Sequence, residues 1–284
     1  MKMKAIFADL FKPIQTAFLV LSGLISYTVS SGGSLDWRVL LMLTFSLYFT
    51  ISGTTGLNMY LDRDIDSMME RTKKRALPSR KLDEGDALYA SALFLSIGLL
   101  LSASINWGVF IAGLLGAIVD LAIYTKMLKR RTPLNVIFGS IAGGMPALGG
   151  WLAHPSSPII GGILIASLVA LWSLNHIWFI ASYYSEDYIR ARVPMLPVVA
   201  GRNAAGNASG AVVLAMIIIV TSMWMVGILR FWALIILYAY MTYMLFLQFK
   251  YMRSGERAIA KRIFRGYTAF LGIAMVLMLL SALL

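Results

Sequence analysis

The 284-residue chain contains no cysteine. Disulfides, thiolate metal sites and cysteine nucleophiles are therefore excluded, and the redox state of its compartment leaves no mark on it. Charge is also scarce. Asp, Glu, Lys and Arg make up 13% of the residues, about half of the roughly 25% usual in a soluble domain. Hydrocarbon takes their place: 59% of the residues are apolar and the mean hydropathy is +0.78. A single soluble core stops growing near this chain length, so a soluble globule could not hide so much apolar surface. The composition argues against a soluble enzyme, a DNA-binding module or a disordered tail. It describes a membrane protein.

A membrane-spanning helix needs about 20 mostly apolar residues. Such runs occur at 14–31, 38–57, 87–104, 107–124, 134–153, 158–180, 206–229, 231–249 and 266–284. The third and fourth are separated only by Ile105-Asn106-Trp107. At this length only helices satisfy their own backbone in lipid. The expected fold is an all-α bundle of nine transmembrane helices over residues 1–284, acting as one domain with a polar cap on its cytoplasmic side. Gly139, Gly143, Gly144, Gly149 and Gly150 give the fifth run the small residues that permit close helix approach, and Pro146 within it suggests a kink.

The net charge is +12, with 25 basic and 13 acidic residues. It is distributed as topology rather than as a nucleic-acid footprint. Connections on one side of the nine runs, Lys2, Lys4 and Lys12 among them, hold 23 of the 25 basic residues, and Arg38 and Arg230 alone fall on the other. The positive-inside rule places the N-terminus in the cytoplasm and, after nine crossings, the C-terminus outside. The first run is expected to stay in place as a span rather than be cleaved as a signal peptide, since it begins past residue 12 and eight more follow.

Two polar segments follow apolar runs that end alike, in Leu57-Asn58 and Leu174-Asn175. In the first, Asn58, Asp62 and Asp66 recur every four residues and would form one stripe on a helix. Carboxylates one turn apart repel each other. Mg²⁺ would relieve the repulsion, because it takes one or two carboxylates together with substrate phosphates. The alternative is a solvated helix end in which Arg63 or Arg71 pairs with the aspartates. In the second segment Glu186 and Asp187 are candidates for a second metal site, and His176, Trp178 and Tyr183 for contacts with an acceptor substrate. The functional reading of His176 is an imidazole that touches substrate or ligates iron. Arg71, Arg75, Lys126 and Arg130 lie on the same side and would hold a diphosphate; Lys126 and Arg130 are one turn apart and follow Tyr124. Asp120 lies inside the fourth run, where an acid is expected to face the bundle interior; it either pairs with Lys126 or a tyrosine hydroxyl as structural glue or binds and orients the acceptor substrate. Asp62, Asp66, Asp187 and Lys126 are the expected catalytic set.

Asn58-x3-Asp62-x3-Asp66, followed by Arg71-Thr72 and Arg75-Ala76-Leu77-Pro78-Ser79, resembles the first aspartate-rich motif of the UbiA superfamily of intramembrane prenyltransferases. Within it the chain is most similar to the heme-modifying branch. Three further stretches carry that similarity: Tyr124-Thr125-x3-Lys129-Arg130-Arg131-Thr132-Pro133, Met145-Pro146 with Gly150-Trp151, and His176-x-Trp178 running through Asp187-Tyr188 to Pro194-Met195-Leu196-Pro197-Val198-Val199. Departures include Ala76 and Ala147 in place of proline, Asn175 in place of proline, Glu186 in place of aspartate, and Arg80 and Arg192 where glycine is usual. The resemblance implies Mg²⁺-dependent transfer of a farnesyl group, or a longer prenyl group, from its diphosphate to the vinyl group of heme B within the bilayer. The rival readings are a sister prenyltransferase using a quinone precursor or a glycerol-phosphate lipid, and an ion-coupled transporter. The His176-x-Trp178 and Pro-Met-Leu-Pro stretches disfavour the first. The clustering of charge at one membrane face disfavours the second.

Overall fold

A computed structural model describes residues 6–284; Lys2 and Lys4, counted above among the basic residues, lie outside them. The described residues form helices and no strand. After a π-helical turn at Ile6–Leu10, the elements are α1 (Pro13–Ser30), α2 (Trp37–Leu61), the short α3 (Arg63–Met68), α4 (Glu84–Ile105) and α5 (Trp107–Ile118). A second π-helical segment, Val119–Leu128, continues α5. Then come α6 (Asn135–Leu152), α7 (Ile159–Tyr183), the short α8 (Ser185–Arg190) and α9 (Leu196–Val199), α10 (Gly201–Met225), α11 (Phe231–Ser254) and α12 (Arg257–Leu283).

Among the described residues eight helices are long and apolar enough to cross a membrane, counting α5 with its π-helical continuation as one. The fifth apolar run forms α6, an 18-residue helix that falls outside that set; five glycines, Asn135 and Pro146 dilute its hydrocarbon. Pro146 sits inside α6 without ending it. The ambiguous third and fourth runs are split by Asn106, whose backbone is extended. Its side chain accepts from Val109 N at 2.9 Å and donates to the Leu152 carbonyl at 2.9 Å, capping α5 and tying it to α6. Asp36 caps α2 in the same way, accepting from Arg38 N at 2.8 Å. The helices overrun their apolar runs at the basic ends. α12 begins at Arg257 rather than at 266, since backbone bonding continues and the stems of Lys261, Arg262 and Arg265 can lie along the helix with their charges outward.

Three apolar clusters form among the described residues, a small one around the N-terminal turn and two that serve as cores of the bundle. The larger joins α7, α10, α11 and α12 around Leu168, Met216, Leu237 and Phe270. The smaller joins α1, α2 and α5 around Tyr27, Leu43 and Val109. α6 stands between them, packed against α7 of the larger and α1 of the smaller. Close approach there rests on glycine: a Cβ on Gly150 of α6 would overlap the Gly23 carbonyl of α1. The outer faces carry exposed Leu41, Phe45, Leu100, Ile111, Ile218 and Phe246, as expected of surfaces that meet lipid.

Arg80 and Arg192, where the family pattern has glycine, are both left-handed, at φ 56° and 53°. Both side chains are exposed, so little offsets the clash of Cβ with the backbone. Arg80→Gly and Arg192→Gly are each expected to stabilise the protein by up to about 1 kcal/mol, read as a rise in the thermal unfolding midpoint in detergent.

Candidate functional site

A cavity of about 540 Å³ opens between the two cores, within the size range of small-molecule sites. Its body is apolar, lined by Leu47, Ile51, Val109, Ala112, Met145 and Trp172. Its polar end gathers Lys12, Asn58, Asp62, Asp66, Arg71, Arg75, Asp120, Tyr124, Lys129 and Tyr188.

The first motif survives a break in its helix. α2 ends at Leu61, Asp62 turns at φ −96°, ψ 2°, and α3 follows. The helical bonds nonetheless bridge the break, Asp62 N donating to Asn58 O at 3.0 Å and Asp66 N to Asp62 O at 2.9 Å. The stripe is therefore kept, with Asp62 and Asp66 only 3% and 6% exposed. Each carboxylate gives one oxygen to a cation. Asp62 Oδ2 receives Lys129 Nζ, and Asp66 Oδ2 receives Arg75 Nη1 at 2.7 Å. Asp62 Oδ1 is buried with no hydrogen-bond partner. Neither Arg63 nor Arg71 takes the aspartates; Arg63 pairs with Glu84 at 2.9 Å.

Lys129, not Lys126, is the basic residue of its loop that enters the cavity. The cause is the π-helical segment. Its i→i+5 bonding, seen in Lys129 N to Tyr124 O at 2.8 Å, winds more slowly than an α-helix. Spacings of four and five residues then share a face, and Asp120, Tyr124 and Lys129 all line the cavity while Lys126 is exposed. Burial disfavours the Lys129 ammonium, but Tyr124 and Asp62 outweigh it and hold its pKa above the ordinary lysine value. Arg130 points away, forming a fork on Asp64 at 2.6 and 2.7 Å. That hydrogen bond holds the Asp64 carboxyl below the usual carboxylate range. Asp120 faces the cavity as expected, but its partner is the Asn58 amide rather than Lys126. Asn58 also donates to Thr125 Oγ1 at 2.7 Å.

The second segment contributes less than its spacing suggested. His176 lines the cavity, stacked on Trp172 with centroids 5.3 Å apart. Its Nδ1 lies 3.0 Å from the Phe264 carbonyl, which can only accept, so Nδ1 carries the proton and Nε2 keeps its lone pair. Trp178 is buried in the larger core and does not line the cavity. Tyr183 packs on Tyr184 and under Arg257 and Lys261. Asn175 is buried against Tyr267, away from the cavity, so the likeness of Leu57-Asn58 to Leu174-Asn175 does not extend to their surroundings. Glu186 is exposed and pairs with Arg257 at 3.2 Å. Asp187 is buried, but its two oxygens accept from Glu70 N at 3.0 Å and Arg71 N at 3.1 Å. It fastens the loop that carries Arg71 and Arg75, both of which reach the cavity. Among the described residues no group of three or more His, Asp or Glu is arranged to hold a metal ion.

Comparison with known proteins decides the family. The model of the UbiA prenyltransferase family matches residues 19–280. The chain belongs to the UbiA prenyltransferase family. A relative from Thermofilum pendens, named protoheme IX farnesyltransferase, is 42% identical over 274 residues, covering 96% of this chain and 97% of its own. Two solved structures share the fold. A digeranylgeranylglyceryl phosphate synthase superposes with a TM-score of 0.82 at 20% identity, over 99% of both chains. A UbiA homologue from Archaeoglobus fulgidus, bound to GPP and Mg²⁺, gives a TM-score of 0.62 at 17% identity, over 98% of this chain and 99% of its own. The protein is thus a multi-pass membrane prenyltransferase.

As a UbiA enzyme it should depend on the lysine inside the cavity. Lys129→Met is expected to lower kcat/KM for prenyl transfer by about 100-fold, the scale of losing one charge-stabilising donor. Lys126→Met should leave it within about twofold. Steady-state kinetics on purified variants distinguish the two lysines.

Proposed function

We propose that the protein transfers a farnesyl group from farnesyl diphosphate to the vinyl group of heme B, forming heme O. The observation that carries this reading is the near-full-length identity to a protein named protoheme IX farnesyltransferase. The cavity supports it, being apolar along its body and cationic at one end.

The donor set at that end suits Mg²⁺. Asp62 and Asp66 are hard oxygen ligands one helical turn apart, and Asp62 Oδ1 is a buried oxygen without a partner. These two carboxylates would hold the ion, with substrate phosphates completing its shell. The bound ion would neutralise charge on the departing diphosphate. Glu186 and Asp187 do not supply a second protein site in this arrangement, one being paired with Arg257 and the other with loop backbone.

The chain's own residues account for the rest. Arg71, Arg75 and Lys129 compensate the diphosphate as the C–O bond breaks and its electron pair leaves with oxygen. The apolar wall keeps water from the allylic cation, whose C1 bonds to the outer vinyl carbon through the vinyl π pair; the cation left on the ring-side carbon then takes up a water molecule, which loses a proton and leaves the hydroxyl of the product. Trp172, which lines the cavity, would offer the allylic cation the ring face not stacked on His176. His176 lines the cavity with Nε2 free of the Phe264 bond, and would there seat the porphyrin of the acceptor.

The whole chain acts as one unit in this reading, with α6 as a ninth crossing. The N-terminal segment, the aspartate motif and the loop at Lys129 face the cytoplasm, in accord with the 23 of 25 basic residues at that end. The C-terminus lies outside.

Mass spectrometry of membranes carrying the protein, incubated with heme B, farnesyl diphosphate and Mg²⁺, tests the reaction. A farnesylated heme that disappears with EDTA is expected. Asp62→Asn should lower its formation by about 100-fold or more. Absence of a heme product, with prenylation of a quinone precursor or glycerol-phosphate lipid instead, would overturn the acceptor assignment.

A further inference from the structure

Lys12 stands between the N-terminal turn and α1 in a left-handed conformation, φ 43° and ψ 65°. A long L side chain rarely takes that conformation, and it persists only where the surroundings over-determine it. They do so on both sides. Leu10 and Phe11 are fully buried among Met59, Ala76 and Leu77, and the Asp9 carboxylate accepts the Ala76 N–H. On the other side Pro13 opens α1, and Thr16 returns its hydroxyl to the Phe11 carbonyl at 2.7 Å and its N–H to the Lys12 carbonyl at 3.0 Å.

The outcome is a lysine that lines the polar end of the cavity instead of lying on the surface like most basic residues of that face. Arg75 and Lys129 are matched there by Asp66 and Asp62. Among the described residues Lys12 Nζ has neither an ion pair nor a hydrogen bond. Burial, followed by the charge of Arg75, pushes its pKa down to about 7. A bound anion would oppose both effects.

We propose that Lys12 is a substrate-binding residue that grips the diphosphate of the prenyl donor, held in place by the strained junction before α1. The proposal rests on the prenyltransferase reading of the cavity. Among the described residues no hydrogen-bond or ion-pair partner meets the cation, and an anionic substrate supplies one.

The test uses the full-length protein in lipid nanodiscs, with inorganic diphosphate and Mg²⁺ as the probe. Lys12→Met should weaken diphosphate binding by about 10- to 100-fold, the scale of a hydrogen bond to a charged group. The KM for farnesyl diphosphate should rise in parallel. Lys12→Arg should restore binding to within a few-fold, and the thermal midpoint and the Mg²⁺ concentration for half-maximal activity should match the wild type in both variants. Wild-type diphosphate affinity in Lys12→Met would overturn the proposal. So would an equal loss in Lys12→Met and Lys12→Arg accompanied by a lowered thermal midpoint, which marks a structural role. Failure of the unmodified protein to bind diphosphate would instead overturn the reading of the cavity itself.

Discussion

The pairing of Asp62 with Lys129 at the end of the membrane helices is the interaction on which the cavity depends. Both side chains are withdrawn from water, with side-chain exposures of 4% and 14%. Removing one partner from such a pair typically costs 3–5 kcal/mol, on the order of a third to a half of a protein's net stability. The pair joins α2 to the π-helical end of α5 and fixes which face of that segment looks inward. It satisfies only one oxygen of Asp62, so the carboxylate keeps a lone pair turned away from the lysine. One interaction thus ties two spans together at the cavity and leaves a ligand atom in reserve.

The remaining charges divide their labour by depth. Cavity-facing Arg75 is matched by buried Asp66, while exposed Arg130, Arg190 and Arg257 are matched by Asp64, Glu70 and Glu186 at the surface. The surface pairs contribute about 0–1 kcal/mol each. Asp187 does more than its 3.9 Å pairing with Arg190. Its carboxylate accepts two successive backbone N–H groups and so fixes the loop at 69–72, converting an acid that spacing alone would assign to a metal into a latch for two arginines. Asp9 does the same further along the loop, at Ala76. The cationic end is therefore built on loops pinned from beneath by carboxylates, which supports function without needing a long helix.

Hydropathy made the spans legible, since the bilayer demands one apolar run per helix and the chain supplies them. The short gap at Asn106 was ambiguous in the sequence, and the capping bonds of its side chain resolve it. The stripe of Asn58, Asp62 and Asp66 survived translation into structure because helical bonding bridges the break at Asp62. Lys129 was hidden by a change of winding: no residue pattern marks Val119–Leu128 as π-helical, and Lys126 stood out only by lying one turn before Arg130. Lys12 was hidden for another reason. Positive-inside charge explains any lysine near a span, and only its backbone conformation and lack of a partner separate it from the rest. Glu186 and Asp187 misled because sequence reveals acids but not the backbone groups that occupy them.

The most direct test of the account is a double-mutant cycle between Asp62→Asn and Lys129→Met, read as kcat/KM for prenyl transfer at saturating Mg²⁺. If the two side chains act as one unit, the double variant will be about as impaired as the worse single variant, an interaction on the order of 2–3 kcal/mol. Losses that add, leaving the double variant at the product of the two single effects, would show that Asp62 and Lys129 work independently and would contradict the account.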